Sequence, residues 1–161
     1  MIRFVVDRNL GRLAKWLRTI GFDAFYEAGC TLERLREESE RPETIFLTTS
    51  DRVAEKICPR NFLIVPRDDL RGQLNGVIRQ FEIDWKARLF TRCVICNSLV
   101  EPVPKEQLST KVPERVFAIH SSFTRCPRCL RIYWTGTHTE RLTSRLRLLL
   151  EGSTGEMDAG G

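Results

Sequence analysis

The sequence predicts an α/β protein: a parallel sheet flanked by helices, followed by a module held by four cysteines and closed by a last helix. Three observations carry this. Short apolar, β-branched runs alternate with amphipathic segments through residues 2–81, the pattern of strands joined by helical crossovers. Two Cys-x-x-Cys pairs, Cys93/Cys96 and Cys126/Cys129, flank residues 97–125. After Phe90 the alternation stops, and Pro102, Pro104 and Pro113 punctuate short strand-like pieces.

Each element follows from local pattern. Residues 2–6 form a short apolar run ending at Asp7, suited to a buried strand. Leu10, Leu13, Ala14, Leu17 and Ile20 recur at helical spacing, and Gly21 stops that helix. Residues 23–26 read as a second strand, and 32–38 as a short charged helix. Pro42 breaks the chain before a third strand over 44–48, which runs into Thr49, Ser50 and Asp51. Residues 53–57 are helical up to Pro59. A fourth strand spans 62–65, and Leu70, Leu74, Val77, Ile78 and Phe81 mark an amphipathic helix over 70–81. In the second half, 116–119 and 132–134 read as strands, and Leu142, Leu146 and Leu149 mark the closing helix. Trp16 and Trp85 read as core residues rather than base-stacking platforms. No internal repeat is present.

Bulk composition narrows the class. With 161 residues, 42% hydrophobic and 29% charged, the chain has room for one compact domain with an appendage, or two small ones. No apolar run approaches the roughly 18 residues of a membrane span. The start of the chain reaches an acid too soon for a secretory signal, so the expectation is a cytoplasmic protein with no membrane partner. In that compartment the cysteines serve metal binding rather than disulfides, leaving Cys30 and Cys58 as free thiols. The net charge is +5 and is uneven: residues 91–150 hold ten Lys/Arg against four Asp/Glu. A basic cysteine half favours a polyanion such as nucleic acid, and serves solubility equally well.

The four cysteines are the clearest chemical signal. Two tight thiolate pairs suit tetrahedral Zn²⁺ and leave no open coordination position, so the metal is expected to be structural. A redox dithiol is the alternative for one pair alone. Asp7 and Asp51 follow strands of a parallel sheet, where ligand sites form beyond the carboxyl ends. Carboxylates there suit Mg²⁺ or Mn²⁺ and metal-assisted phosphodiester hydrolysis, with Glu33, Glu37, Glu55, Asp68 and Asp69 as candidates for further ligands. The competing use of Asp51 is as a helix cap, with Thr49 or Ser50 bonding the turn, and Asp7 also precedes a helix. Arg8, Arg12 and Lys15 share a helix face beside Asp7 and are placed either to guide a phosphate backbone or to face solvent. His120 and His138 are not needed for zinc; His138 sits in a Gly-containing turn after a strand.

These parts, in this order, resemble a known family. Residues 5–18 (VVDRNLGRLAKWLR) are similar to the opening of the ribonuclease domain first named from the C-terminal part of the Mut-seven exonuclease. Residues 47–52 (LTTSDR) resemble its second acidic signature, and 90–97 (FTRCVICN) and 123–138 its two cysteine motifs. The resemblance runs from residue 2 to about 145. It implies a PIN-like nuclease fold over 1–89 and a zinc ribbon over 90–138; the leucine spacing gives a C-terminal helix over 139–150, and the Gly-rich, polar composition a disordered tail over 151–161. It also implies Mg²⁺- or Mn²⁺-dependent hydrolysis of RNA, expected to be single-stranded. Asp7 and Asp51 take the acidic positions, with Glu33 and Asp68 as further catalytic acids. Arg8, Arg12, Lys15, Arg92, Arg125, Arg128 and Arg131 would contact substrate. One departure stands out: family members carry acids soon after the second strand, whereas here Ala28-Gly29-Cys30-Thr31 precedes the first acid, Glu33. That departure keeps open an RNA- or protein-binding module without catalysis. A toxin-type nuclease is a third reading.

Overall fold

A computed structural model describes residues 2–151. The chain forms two compact units, Met1–Leu99 and Val100–Gly161. The tail expected over 151–161 lies outside the described residues apart from Glu151. Among the described residues, no helix is long and apolar enough to cross a membrane.

The first unit is a four-stranded, wholly parallel sheet with the order β2-β1-β3-β4. Its strands are β1 (Arg3–Val6), β2 (Asp23–Phe25), β3 (Thr44–Thr48) and β4 (Phe62–Ile64). The connecting helices are α1 (Gly11–Thr19), α2 (Leu32–Ser39) and α3 (Asp51–Ile57), and α4 (Leu70–Gln80) follows β4. Each lies within a residue or two of its predicted span. The central strands are apolar on both faces because both are covered. Phe4 turns to one face and meets Phe22 and Phe81, each at a ring distance of 5.7 Å. Val5 turns to the other, in register with Phe46, and packs with Leu35 of α2 and Ile57 of α3. Trp16 and Trp85 are both buried, as core residues should be.

Two helix starts are capped by side chains: Thr31 accepts from the Arg34 N–H, and Asp69 from the Gly72 N–H. Gly21 ends α1 at φ +92°, where an added Cβ would lie 2.3 Å from the Arg88 carbonyl oxygen. Glu38 is buried on α2 and takes Arg3, Arg34 and Arg41 as ion-pair partners, tying that helix to β1.

The second unit is a three-stranded antiparallel sheet, with β6 (Phe123–Arg125) between β5 (Glu101–Val103) and β7 (Ile132–Trp134). Val103, Leu108, Val112 and Phe123 form its core. Pro102 is tolerated because β5 is an edge strand. A 3₁₀ turn spans Lys105–Leu108, and α6 (Thr137–Glu151) closes the unit. One expected strand is a helix instead: 116–119 belongs to α5 (Glu114–Ile119). Pro113 and Glu114 are good helix openers, and the Phe117 N–H donates back to the Pro113 carbonyl at 2.9 Å. Local start chemistry overrides the β-branched composition there.

Candidate active site and metal centre

The strand order decides where a ligand can bind. β1 leads to β2 on one side, and β3 leads to β4 on the other, so the chain diverges between two adjacent central strands. Their carboxyl ends therefore open a crevice. The structure has a cleft of about 630 Å³ there, lined from the loops after β1 (Asn9, Leu10, Arg12), β3 (Thr49, Ser50, Val53) and β4 (Arg67, Asp68, Leu70, Gln73).

Asp7 stands at this edge with only 3% of its surface exposed. Its Oδ2 accepts from the Thr48 hydroxyl at 2.6 Å, and its Oδ1 from the Arg8 N–H at 2.7 Å. Thr48 Oγ1 in turn accepts from the Ser50 N–H at 3.2 Å. A polar relay thus joins the ends of β1 and β3, and Thr48 is its hub. Two donors leave Asp7 lone pairs to spare, since an ionised carboxylate accepts about four hydrogen bonds.

Neither aspartate is a helix cap. Ser50 occupies the N-cap position of α3, Asp51 is the first helical residue, and the Asp51 carboxylate has no hydrogen bond among the described residues. Leu10 occupies the N-cap position of α1. Asp51 is exposed and lines a separate depression with Ala54, Glu55, Cys58, Pro59 and Phe62. Glu33 lines another, with Arg36, Glu37, Glu40 and Lys56. Asp68 lines the cleft itself, at φ +51°. Among the described residues, no three of these acids bring their oxygens together as a metal cage.

Arg8, Arg12 and Lys15 are all exposed, and among the described residues none has an ion-pair or hydrogen-bond partner for its charge. Of the three, Arg12 lines the cleft. Arg92 is half-buried instead, with its Nη1 donating to the Asn97 carbonyl, and burial pushes its guanidinium below its ordinary pKa. Arg125 is half-buried, whereas Arg128 and Arg131 are exposed. His120 packs against the Trp134 ring and Gly136, a structural position, while His138 is exposed at the start of α6.

The four cysteines meet. The sulfurs of Cys93, Cys96, Cys126 and Cys129 all lie within 4.8 Å of one another. A tetrahedral zinc–thiolate site with bonds of about 2.3 Å needs sulfurs about 3.8 Å apart, so the set fits such an ion. The two pairs are built alike. Cys96 and Cys129 donate their N–H groups to Cys93 Sγ and Cys126 Sγ. Asn97 and Leu130, directly after each pair, turn left-handed at φ +63° and +61° and donate back to the Cys93 and Cys126 carbonyls.

The first pair is anchored by residues whose role the sequence did not reveal. Arg18 is buried on α1. Its Nη1 donates to the Val94 and Ile95 carbonyls, each at 3.0 Å, its Nε to Ala24 O at 2.9 Å, and its Nη2 to Tyr26 O at 3.3 Å. Burial lowers the Arg18 pKa, and the neighbouring Cys93 thiolate partly restores it. Asn97 completes the anchor, accepting from the Ala24 N–H and donating to Asp23. The one available signal is spacing: Arg18 lies one turn beyond Ala14, on the buried face of α1.

A parallel α/β sheet with a buried acid at its switch point is thus joined in one chain to a four-cysteine cluster able to hold a structural metal. Residues 2–146 match the family model of the Mut7-C RNAse domain, and the chain belongs to that family. No curated protein and no solved structure matches it.

Proposed function

We propose that the chain is a ribonuclease that uses Mg²⁺ or Mn²⁺ to hydrolyse phosphodiester bonds in single-stranded RNA. The observation that carries this reading is the buried Asp7–Thr48–Ser50 relay at the strand ends, whose Ser50 lines a cleft that also holds Arg12 and Arg67. Asp7 and Asp51 hold the cation together with its waters; Asp68 and Glu33 are further acids of the site. When bound, the cation supplies an activated water and offsets charge developing on phosphate. Thr48 fixes the Asp7 carboxylate, so its remaining lone pairs face one way. Arg8, Arg12 and Lys15 take backbone phosphates, whose contacts position rather than specify. Zinc in the four-thiolate centre takes no part in the chemistry and shapes the second unit, where Arg125, Arg128 and Arg131 extend the RNA contact. Family membership supports the RNA substrate.

The test is Asp7→Asn assayed on labelled single-stranded RNA under Mn²⁺ titration. Cleavage should fall at least about 100-fold while the fold and zinc content persist. Unchanged cleavage rejects the mechanism. The scattered placement of Asp51, Glu33 and Asp68 favours one rival, a module of the same fold that binds RNA without cutting it. In the same titration, tight binding by the wild-type protein without cleavage selects that rival.

A further inference from the structure

The first turn of α4 also contributes to the cleft. Gln73 lines it although only 6% of the residue is exposed. Its Nε2 is committed, donating to the Pro66 carbonyl at 2.8 Å. Its Oε1 accepts no hydrogen bond from the protein, and it is not among the buried atoms sealed from solvent without a partner. The carboxamide is thus locked at one end and open at the other, and its open end is a pure acceptor. Such a group can accept from a donor on the ligand in place of water.

Two further features say what kind of ligand brings that donor. Arg12 and Arg67 line the same cleft, and neither has an ion-pair partner among the described residues. Two unpaired guanidinium groups suit a phosphate. The volume, about 630 Å³, falls in the range of small-ligand sites. The cleft therefore accepts a unit that carries an anionic phosphate and a neutral hydroxyl donor.

We propose that the cleft seats one ribonucleotide of the substrate, with its phosphate on Arg12 and Arg67 and its ribose 2′-hydroxyl donating to Gln73 Oε1. Gln73 is then the specificity-determining residue that separates RNA from DNA, since the 2′-hydroxyl is the group that differs between them. A site built to bond a hydroxyl rejects the analogue that lacks it. The inference rests on the ribonuclease reading and adds to it the residue that reads the sugar.

The experiment compares binding of a labelled 12-nucleotide oligouridylate with its deoxy counterpart, without added Mg²⁺ or Mn²⁺ so that no cleavage intervenes. Zinc content and thermal unfolding are checked for each protein. Wild type should prefer the ribo-oligomer by about 3- to 10-fold, the worth of one hydrogen bond. Gln73→Met should bring that ratio close to one. Gln73→Glu, which keeps acceptor oxygens but loses the Pro66 bond, should weaken both ligands and keep the preference. Because the Met variant also frees the loop, chemically modified RNA supplies an arm that leaves the protein intact. Oligouridylates bearing 2′-fluoro or 2′-O-methyl groups cannot donate, and wild type should bind them no better than DNA.

A Met variant that weakens both ligands equally and keeps the ribo preference overturns the sugar-reading role and leaves the ribonuclease reading standing. So does a wild type that binds 2′-fluoro RNA as well as RNA. A folded wild type that binds neither oligomer overturns both.

Discussion

Thr48→Val isolates the relay at the strand ends. Valine matches threonine in shape and lacks the hydroxyl. Thr48 is fully buried, so water cannot replace what is lost. The missing bond to the Asp7 carboxylate, 2.6 Å long in the structure, is worth roughly 1.5–3 kcal/mol, as bonds to charged groups are. The Ser50 N–H is half-buried and its 3.2 Å bond adds about 0.5–1 kcal/mol. The extra methyl of valine returns about 0.8 kcal/mol through burial. The net expectation is a destabilisation of about 1–3 kcal/mol. Urea unfolding of the zinc-loaded protein, followed by tryptophan fluorescence, measures it. Thr48→Ser is the control: it keeps the hydroxyl, loses one methyl and should cost only about 1 kcal/mol. A valine variant within about 0.5 kcal/mol of wild type would refute the reasoning, as would a serine variant less stable than the valine one. In a cycle with Asp7→Asn, the two positions should couple by at least about 1 kcal/mol.

Arg18→Met should destabilise the protein by roughly 3 kcal/mol or more and speed zinc loss to a chromogenic chelator, because four backbone carbonyls lose a charged donor together; a variant with wild-type zinc release would show that the anchor is idle. Leu130→Gly relieves a left-handed residue whose side chain is 63% exposed, and should gain up to about 1 kcal/mol after the entropy cost of glycine, read as a higher unfolding midpoint. In the zinc-loaded protein an alkylating reagent followed by mass spectrometry should modify Cys58 first. Cys58 is exposed, whereas burial raises the pKa of the Cys30 thiol and so depletes its reactive thiolate. Chelation should then release four more reactive thiols, and rapid labelling of all six before chelation would contradict the metal assignment.

The sheet was legible because both of its faces are covered. Residues 2–6 and 44–48 are apolar runs that only a two-sided core explains, and the strand ends placed Asp7 without further information. The cysteine spacing was equally direct. What escaped was neutral or apparently misplaced. Thr48 and Gln73 carry no charge, so nothing in the sequence singles them out. Arg18 reads as a solvent-facing cation until the carbonyls of residues 94 and 95 arrive, and that arrival is a long-range event. The helix at 114–119 was missed for the opposite reason, since its valine, phenylalanine and isoleucine spoke louder than the Pro113-Glu114 start. Asp51 could be read from sequence as a cap or a ligand, and the structure removes the cap.

The side chains that hold the first cysteine pair also change how copies of this molecule can meet. β2 and β4 are the two outer strands. On β2, the Ala24 N–H and carbonyl are taken by Asn97 and Arg18. That border is closed to strand addition by its own protein, a protection natural sheets need. On β4, the outer strand of the other border, Phe62 and Ile64 are exposed. A sheet with two open borders can extend without limit, one copy after another. A sheet with a single open border can join only one other copy through it, and growth ends at the pair. The bonds that seat a metal knuckle thus also shut one border of the parallel sheet, leaving that sheet at most one border through which copies could pair.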